Sequence, residues 1–221
     1  MKEIVKLGNS DKHILFIPGG NIDIHCYDSL LRELSSHYTV EGVNLIELGT
    51  SDLSESKKWI GNYINECSYP TVIVAHSLGA DIAKKIQSPK VSKYILMNSS
   101  IYDPNYSKVK VIFITVLKSL IAPLKYPRLF FFYILANYYL LQNLVTKPRK
   151  TIRHIKQALS NVTNELEITN PNEKMKVVAS KDDEYFPNPR QTNVQLVDGN
   201  HEWLMNDTQK SSELIQSLIN S

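Results

Sequence analysis

The chain has 221 residues, 43 % of them hydrophobic, and a net charge of +3. This length suffices for one α/β domain with a sizeable core, and so small a net charge gives no reason to expect a nucleic-acid partner. Two cysteines, Cys26 and Cys67, are too few for a disulfide framework and lack the spacing of a structural metal site. The first residues carry charges where a signal peptide needs an apolar run, so we expect a cytosolic protein.

Short apolar, β-rich runs alternate with helix-like runs along most of the chain. The predicted strands are His13–Pro18, Thr39–Ile46, Thr71–Ala75, Lys93–Met97, Lys176–Ser180 and Val194–Val197. The predicted helices are Tyr27–His37, Ser54–Cys67, Leu78–Gln87 and Ser211–Ile219. This alternation predicts an α/β fold with a mostly parallel, twisted sheet and helices on both of its faces.

The sequence Ala-His-Ser-Leu-Gly at residues 75–79 lies between a predicted strand and a predicted helix. This is the context of a nucleophile elbow, in which a serine occupies a sharp strand-to-helix turn. The residues two before and two after Ser77 must be small because the two backbones approach closely, and Ala75 and Gly79 meet that requirement. The pattern usually begins with glycine rather than alanine. A serine that only caps the helix is therefore the alternative interpretation.

A serine hydroxyl needs an adjacent base before it becomes a good nucleophile. Of the six histidines, His201 follows the last predicted strand in a turn rich in Gly and Asn, at the sheet edge where sites form in parallel sheets. His13 precedes a strand, at the wrong edge. We expect His76 to pack beside its strand, and His37 and His154 to be surface residues on helices.

The base in turn needs a carboxylate that fixes its tautomer and stabilises the imidazolium. An acidic turn follows the penultimate predicted strand and contains Asp182 and Asp183, the latter four residues before Pro187. We favour Asp183, with Asp182 as its close competitor. A solvated acidic loop without a catalytic role is the remaining interpretation.

The order Ser, Asp, His, each just after a predicted strand, resembles the α/β-hydrolase superfamily over nearly the whole chain. The acidic loop is similar to the Ser-x-x-Asp-x-x-x-Pro pattern of small serine hydrolases, matched by Ser180, Asp183 and Pro187. The resemblance implies an oxyanion hole formed by the backbone N–H groups of Gly20 and Leu78. The family often has His-Gly-x after the early strand, whereas this chain has Pro18 in place of the histidine. A dinucleotide fingerprint is excluded here because its third glycine is missing.

The strand–helix alternation lapses over residues 102–164, which we interpret as a helical cap inserted into a core of residues 1–101 and 165–221. The segment Ile101–Ser160 carries ten basic residues and one acid, whereas Leu129–Val145 within it is 17 residues without a charge. That run is marginally short for a membrane span, and a span would put Ser77 and His201 on opposite sides of the membrane. We expect instead an apolar cap helix with one face on the body and the other toward a hydrophobic substrate.

Basic residues flank this apolar run: Lys125, Arg128, Lys147, Arg149 and Lys150. They are suited to anionic lipid headgroups or an anionic leaving group, so peripheral contact with a membrane surface is a further expectation. The alternative is that they only keep an apolar hairpin soluble.

These features together predict a serine hydrolase that cleaves a small-molecule ester with a medium or long acyl group through an acyl-enzyme. The chemistry requires no cofactor and no metal. Two alternatives stay open: a thioesterase of the same fold, and a hydrolase-like binding protein that does not use its triad.

Overall fold

A computed structural model of the protein describes residues 3–20, 22–49, 53–99, 129–161, 174–183 and 194–221. The strands are β1 (Ile4–Leu7), β2 (His13–Ile17), β3 (Thr39–Val43), β4 (Thr71–His76), β5 (Val91–Met97), β6 (Met175–Ser180) and β7 (Val194–Val197). The helices are α1 (Asp28–Ser35), α2 (Leu45–Leu48), α3 (Leu53–Glu66), α4 (Leu78–Ala83), α5 (Phe130–Thr146), α6 (Pro148–Asn161) and α7 (Thr208–Asn220). Two short 3-10 turns occupy Ile24–Tyr27 and Trp203–Met205.

The strands form one sheet in the order β1-β3-β2-β4-β5-β6-β7. Strand β1 pairs antiparallel with β3, and every other pairing in this sheet is parallel. Successive side chains of β2 point to opposite faces, so Ile14 and Phe16 join one apolar cluster and Leu15 and Ile17 the other. Helices α1 and α7 cover the first face, and α3 and α4 cover the second. The predicted α/β architecture with a mostly parallel sheet is confirmed.

Three local expectations differ from the structure. The predicted strand Thr39–Ile46 ends at Val43, because the Asn44 side chain accepts a hydrogen bond from the Glu47 N–H and starts α2. The predicted helix Leu78–Gln87 ends at Ala83, where the chain turns toward β5. The edge strand β1 was not predicted at all, since its four residues are only partly buried and give a weak alternation signal.

The described part of the predicted cap, residues 129–161, consists of α5 and α6. The two helices are connected by the single residue Lys147 and pack against each other. Both limits of the predicted cap lie outside the described residues. Phe132 and Tyr133 of α5, together with Leu129 just before it, pack into the cluster that also holds Tyr27. Among the described residues, no helix combines the length and the apolarity needed to cross a bilayer.

The predicted exposure of His154, on helix α6, was wrong. His154 was predicted at the surface, but it is 1 % exposed, like Thr151 one turn earlier. The many charges of α6 indicate an exposed helix, yet residues three apart share a helix face. Because α6 contacts both α5 and α2, this face is buried.

Candidate active site

The three predicted triad residues follow three different strands of the sheet. Ser77 comes directly after β4, Asp183 follows β6, and His201 follows β7. These strands run parallel within the sheet, so their carboxyl ends meet at one edge, which is where α/β sheets form their sites. Residues separated by more than a hundred positions in the sequence thereby become neighbours.

Ser77 has the strained backbone of a nucleophile elbow, with φ 52° and ψ −120°. Two residues on, α4 passes so close to the end of β2 that only glycine fits. A methyl carbon added at Gly79 would lie 2.5 Å from the Pro18 carbonyl oxygen and nearer still to that of Ile17. The local strain is thus held by direct backbone packing, and the Ser77 side chain remains only half-buried.

The His201 imidazole lies between the serine and the aspartate. Its Nε2 is 2.9 Å from Ser77 Oγ, and its Nδ1 is 2.8 Å from Asp183 Oδ2. A carboxylate only accepts hydrogen bonds, so Nδ1 carries the proton in this contact. The lone pair of Nε2 then faces the serine hydroxyl, which is the tautomer that general-base chemistry requires.

The two competing aspartates are separated by their burial. Asp183 is 3 % exposed and contacts the imidazole, whereas Asp182 is exposed and its N–H donates to the Gly199 carbonyl at 3.1 Å. The backbone bond of Asp182 fixes the turn that presents Asp183.

The turn that carries His201 is held by a residue that the sequence reasoning missed. Asn98, directly after β5, donates from Nδ2 to the His201 carbonyl at 2.6 Å and accepts from the Ser180 N–H at 2.9 Å. Its φ of 47° is in the left-handed region, which Asn adopts more readily than most residues. An asparagine at the carboxyl end of a central predicted strand was the available signal.

A second buried contact joins the cap to the same turn. Tyr133 of α5 donates its hydroxyl to Glu202 Oε2 at 2.8 Å, and Asn200 Nδ2 donates to the same oxygen at 3.1 Å. All three residues are buried. Because Glu202 is next to His201, the cap helix lies beside the proposed base.

The two predicted oxyanion donors lie at the same edge. Leu78 is the first residue of α4, and the first N–H groups of a helix have no intrahelical acceptor. Gly20 follows the end of β2 and is half-buried. The neighbouring Gly19 N–H donates to the Tyr27 hydroxyl at 3.2 Å, so that group is committed elsewhere.

Among the described residues, no group of three or more His, Cys, Asp or Glu side chains is arranged to hold a metal ion.

Comparisons with known proteins give a likeness in structure but none in sequence. No protein-family model and no curated protein matches the sequence. A membrane phospholipase A, described as a bacterial virulence factor, matches with a TM-score of 0.70 at 13 % identity, covering 98 % of this chain and 81 % of that one. A lipase-esterase related protein from Clostridium acetobutylicum gives 0.66 at 18 % identity, covering 97 % and 98 %. The thioesterase domain from the curacin biosynthetic pathway gives 0.60 at 16 % identity, covering 99 % and 94 %.

These likenesses confirm the predicted resemblance at the level of the fold. The chain has the α/β-hydrolase fold, and each match extends over nearly the whole chain. Since one fold supports many reactions, the activity has to be argued from the site itself.

Proposed function

We propose that the protein is a serine hydrolase that cleaves a carboxylic ester with a hydrophobic acyl group. The observation that carries this proposal is the continuous contact from Asp183 through His201 to Ser77, at 2.8 and 2.9 Å. Contacts of this length bring the proposed nucleophile, base and orienting acid within the reach that acyl transfer needs.

In the first step, Ser77 Oγ attacks the ester carbonyl carbon while His201 Nε2 takes the hydroxyl proton. The carbonyl oxygen becomes an oxyanion, which the N–H groups of Gly20 and Leu78 stabilise. His201 then gives its proton to the departing alcohol as the C–O bond breaks, and an acyl-Ser77 ester remains. Water attacks this ester by the same route and releases the acid, while Asp183 stabilises the imidazolium in both halves.

The cap supports a hydrophobic substrate. Helix α5 is 17 residues long without a charged side chain, and its Tyr133 contacts the residue next to His201. An acyl chain that extends from Ser77 toward this helix would lie against apolar side chains and lose its contact with water.

The chemistry is tested by labelling with a fluorophosphonate, which phosphonylates an activated serine. Wild type reacts, Ser77→Ala does not react, and His201→Ala reacts at least 100-fold more slowly, because general-base catalysis contributes about 10²–10⁴-fold. A wild-type protein that stays unlabelled while correctly folded would show a hydrolase-like binding protein instead.

The same triad also serves a thioesterase, and one neighbour in structure is a thioesterase domain. Paired oxygen esters and thioesters with the same acyl group separate the two. We expect turnover to rise with acyl length and kcat/KM to be higher for the oxygen ester. A clear preference for the thioester would change the substrate class without affecting the triad.

We also propose that the outer face of the cap contacts an anionic membrane surface. Phe131 and Val145 of α5 are 79 % and 81 % exposed, and further large apolar side chains between them are exposed as well. The exposed side of α6 carries Arg149 and Lys156. An apolar stripe beside cations fits a surface of acyl chains and anionic headgroups.

Sedimentation with vesicles tests this contact. Binding should be stronger to vesicles containing phosphatidylserine than to pure phosphatidylcholine, and it should weaken at high salt. Replacing both Phe131 and Leu141 with Ser should release the protein. The control is Leu196→Ser, an equally apolar exposed site on β7, 47 % exposed. Equal binding by both variants would contradict the proposal.

A further inference from the structure

A buried chain of hydrogen bonds runs behind the triad, from the loop after β2 to the backbone of His201. The Gly19 N–H lies 3.2 Å from the Tyr27 hydroxyl oxygen, which lies 2.9 Å from His76 Nδ1. The other ring nitrogen of His76, Nε2, lies 3.0 Å from the His201 carbonyl oxygen. Two parts of the proposed catalytic machinery, the oxyanion loop and the base, are thereby linked through two side chains.

The acceptors fix the direction of every bond in this chain. A carbonyl oxygen only accepts, so His76 Nε2 carries a proton and donates to His201. In a neutral ring Nδ1 is then an acceptor, and the Tyr27 hydroxyl donates its hydrogen bond to it. The Tyr27 oxygen in turn accepts from the Gly19 N–H. Every donor in this chain thereby faces an acceptor.

Both side chains of this hydrogen-bond chain are buried. Tyr27 is fully buried and His76 is 1 % exposed. Burial raises the pKa of Tyr27 far above its ordinary value, so its hydroxyl stays protonated and available as a donor. Phe16 and Phe132 pack against the Tyr27 ring at centroid distances of 4.9 and 6.4 Å. The tyrosine has little room to rotate away.

We propose that His76 and Tyr27 are positioning residues that keep His201 and the Gly19–Gly20 loop in register with each other. The His201 carbonyl accepts from His76 at the same time as from Asn98, so its turn is fixed from two sides. Tyr27 holds the loop next to the proposed Gly20 donor. The consequence for catalysis rests on the proposed hydrolase function, whereas the hydrogen-bond chain does not.

The chain itself is tested by NMR on protein with ¹⁵N-labelled histidine, which reports the protonated ring nitrogen of each residue. We expect His76 to be the Nε2–H tautomer, with its Nδ1 resonance shifted by an accepted hydrogen bond. Tyr27→Phe should move that Nδ1 resonance toward the value of a free acceptor. A proton on Nδ1 of His76 in the wild type would overturn the proposal, whether or not the protein is an enzyme.

The catalytic consequence is tested by comparing Tyr27→Phe with Tyr94→Phe. Tyr94 is also buried, and its hydroxyl donates to the Ile86 carbonyl at 2.9 Å, so both variants lose one buried hydrogen bond. Small displacements of catalytic groups cost about 10- to 100-fold in rate. We expect Tyr27→Phe to lower kcat and the rate of fluorophosphonate labelling by about 10-fold with KM unchanged, and Tyr94→Phe to leave both within about 2-fold. Equal effects of the two would reduce Tyr27 to a packing role.

His76 is tested by a conservative rescue. His76→Gln retains an amide donor for the His201 carbonyl, whereas His76→Phe fills a similar volume without hydrogen bonds. Provided that the two variants unfold at similar temperatures, the Gln variant should retain more of the wild-type kcat than the Phe variant. The same kcat in both variants would contradict the proposal. If wild type does not react with the fluorophosphonate, the proposed function fails while the NMR result still decides the hydrogen-bond chain.

Discussion

The turn that carries His201 and the helical hairpin of the cap are both fixed by polar contacts, but of different kinds. At the turn, Asn98 after β5 donates to the His201 carbonyl, and Asp183 after β6 contacts the His201 imidazole in a pair that is almost wholly shielded from water. At the hairpin, cations reach inward from the surface. Lys147 pairs with the Glu47 carboxylate, and Arg153 donates to the Gly49 carbonyl at 3.0 Å.

This difference means that the His201 turn is held more firmly than the cap hairpin. A hydrogen bond from the imidazole to a carboxylate that is shielded from water holds its geometry strongly, whereas partly exposed ion pairs contribute little and are screened by salt. Lys150 also donates to the Glu47 carbonyl at 2.7 Å, near the carboxyl end of α2 where a cation is favourable. Two of the five basic residues expected to meet lipid therefore hold the cap on the body instead. Lys125 and Arg128 lie outside the described residues.

The largest expected effect comes from breaking the triad at its acid. Asp183→Asn keeps the shape but favours the wrong imidazole tautomer, so kcat should fall by about 10⁴-fold. The matched variant Asp182→Asn, one residue earlier and exposed, should stay within about 2-fold. Ester turnover with a short acyl group measures both. Similar losses in the two variants would exclude Asp183 as the orienting acid.

The next largest effect is expected from adding a single methyl group at the elbow. Gly79→Ala places a carbon against two backbone carbonyls, and overpacking of this kind costs about 1–3 kcal/mol or more. The control is Gly61→Ala in α3, where an added carbon meets nothing within 4 Å and should stabilise the helix by about 0.5–1 kcal/mol. Urea unfolding measures both. A neutral Gly79→Ala would mean that the backbones are further apart.

A third variant tests the hydrogen bond by which the cap contacts the His201 turn. Tyr133→Phe leaves the buried Glu202 carboxylate with one fewer donor, which should cost about 1.5–3 kcal/mol. Because the lost bond is adjacent to His201, kcat should fall together with stability. Unfolding and kinetics on one preparation check this. A stability loss without any change in kcat would show that the cap is not coupled to the His201 turn.

The smallest effect is expected at the surface of the hairpin. Lys147→Met removes one of the two lysines that pair with the Glu47 carboxylate and should lower stability by about 1 kcal/mol, because the pair is partly exposed to water. Turnover of a short-chain ester should be unchanged, since the triad is held by other elements. Thermal unfolding at low and high salt, followed by kinetics, tests both statements. A large loss of short-ester turnover would contradict the separation of the two regions.

The periodic apolar runs predicted most of the sheet because burial on both faces requires continuous apolar strands. Ser77 and His201 were also accessible from sequence, since each follows a strand in a turn of small residues. The roles of Tyr133 and His76 were not accessible, because nothing in the local sequence of each indicates a partner far away in the chain, and Asn98 offered only its position after a central strand. His154 was misjudged for a related reason: a charged helix gives no direct sign of which face is covered.

The amino-acid sequence alone was enough to indicate most of the strands and helices in chain order, the small residues of the elbow, and the candidate residues for acyl transfer. These are local properties, fixed by periodicity and by steric size. Which aspartate contacts the imidazole, and how Tyr27 and His76 join the loop to His201, follow only from the folded arrangement of the chain. Those contacts depend on distances of about 3 Å between groups far apart in the chain, and such distances exist only once the strands are aligned in the sheet.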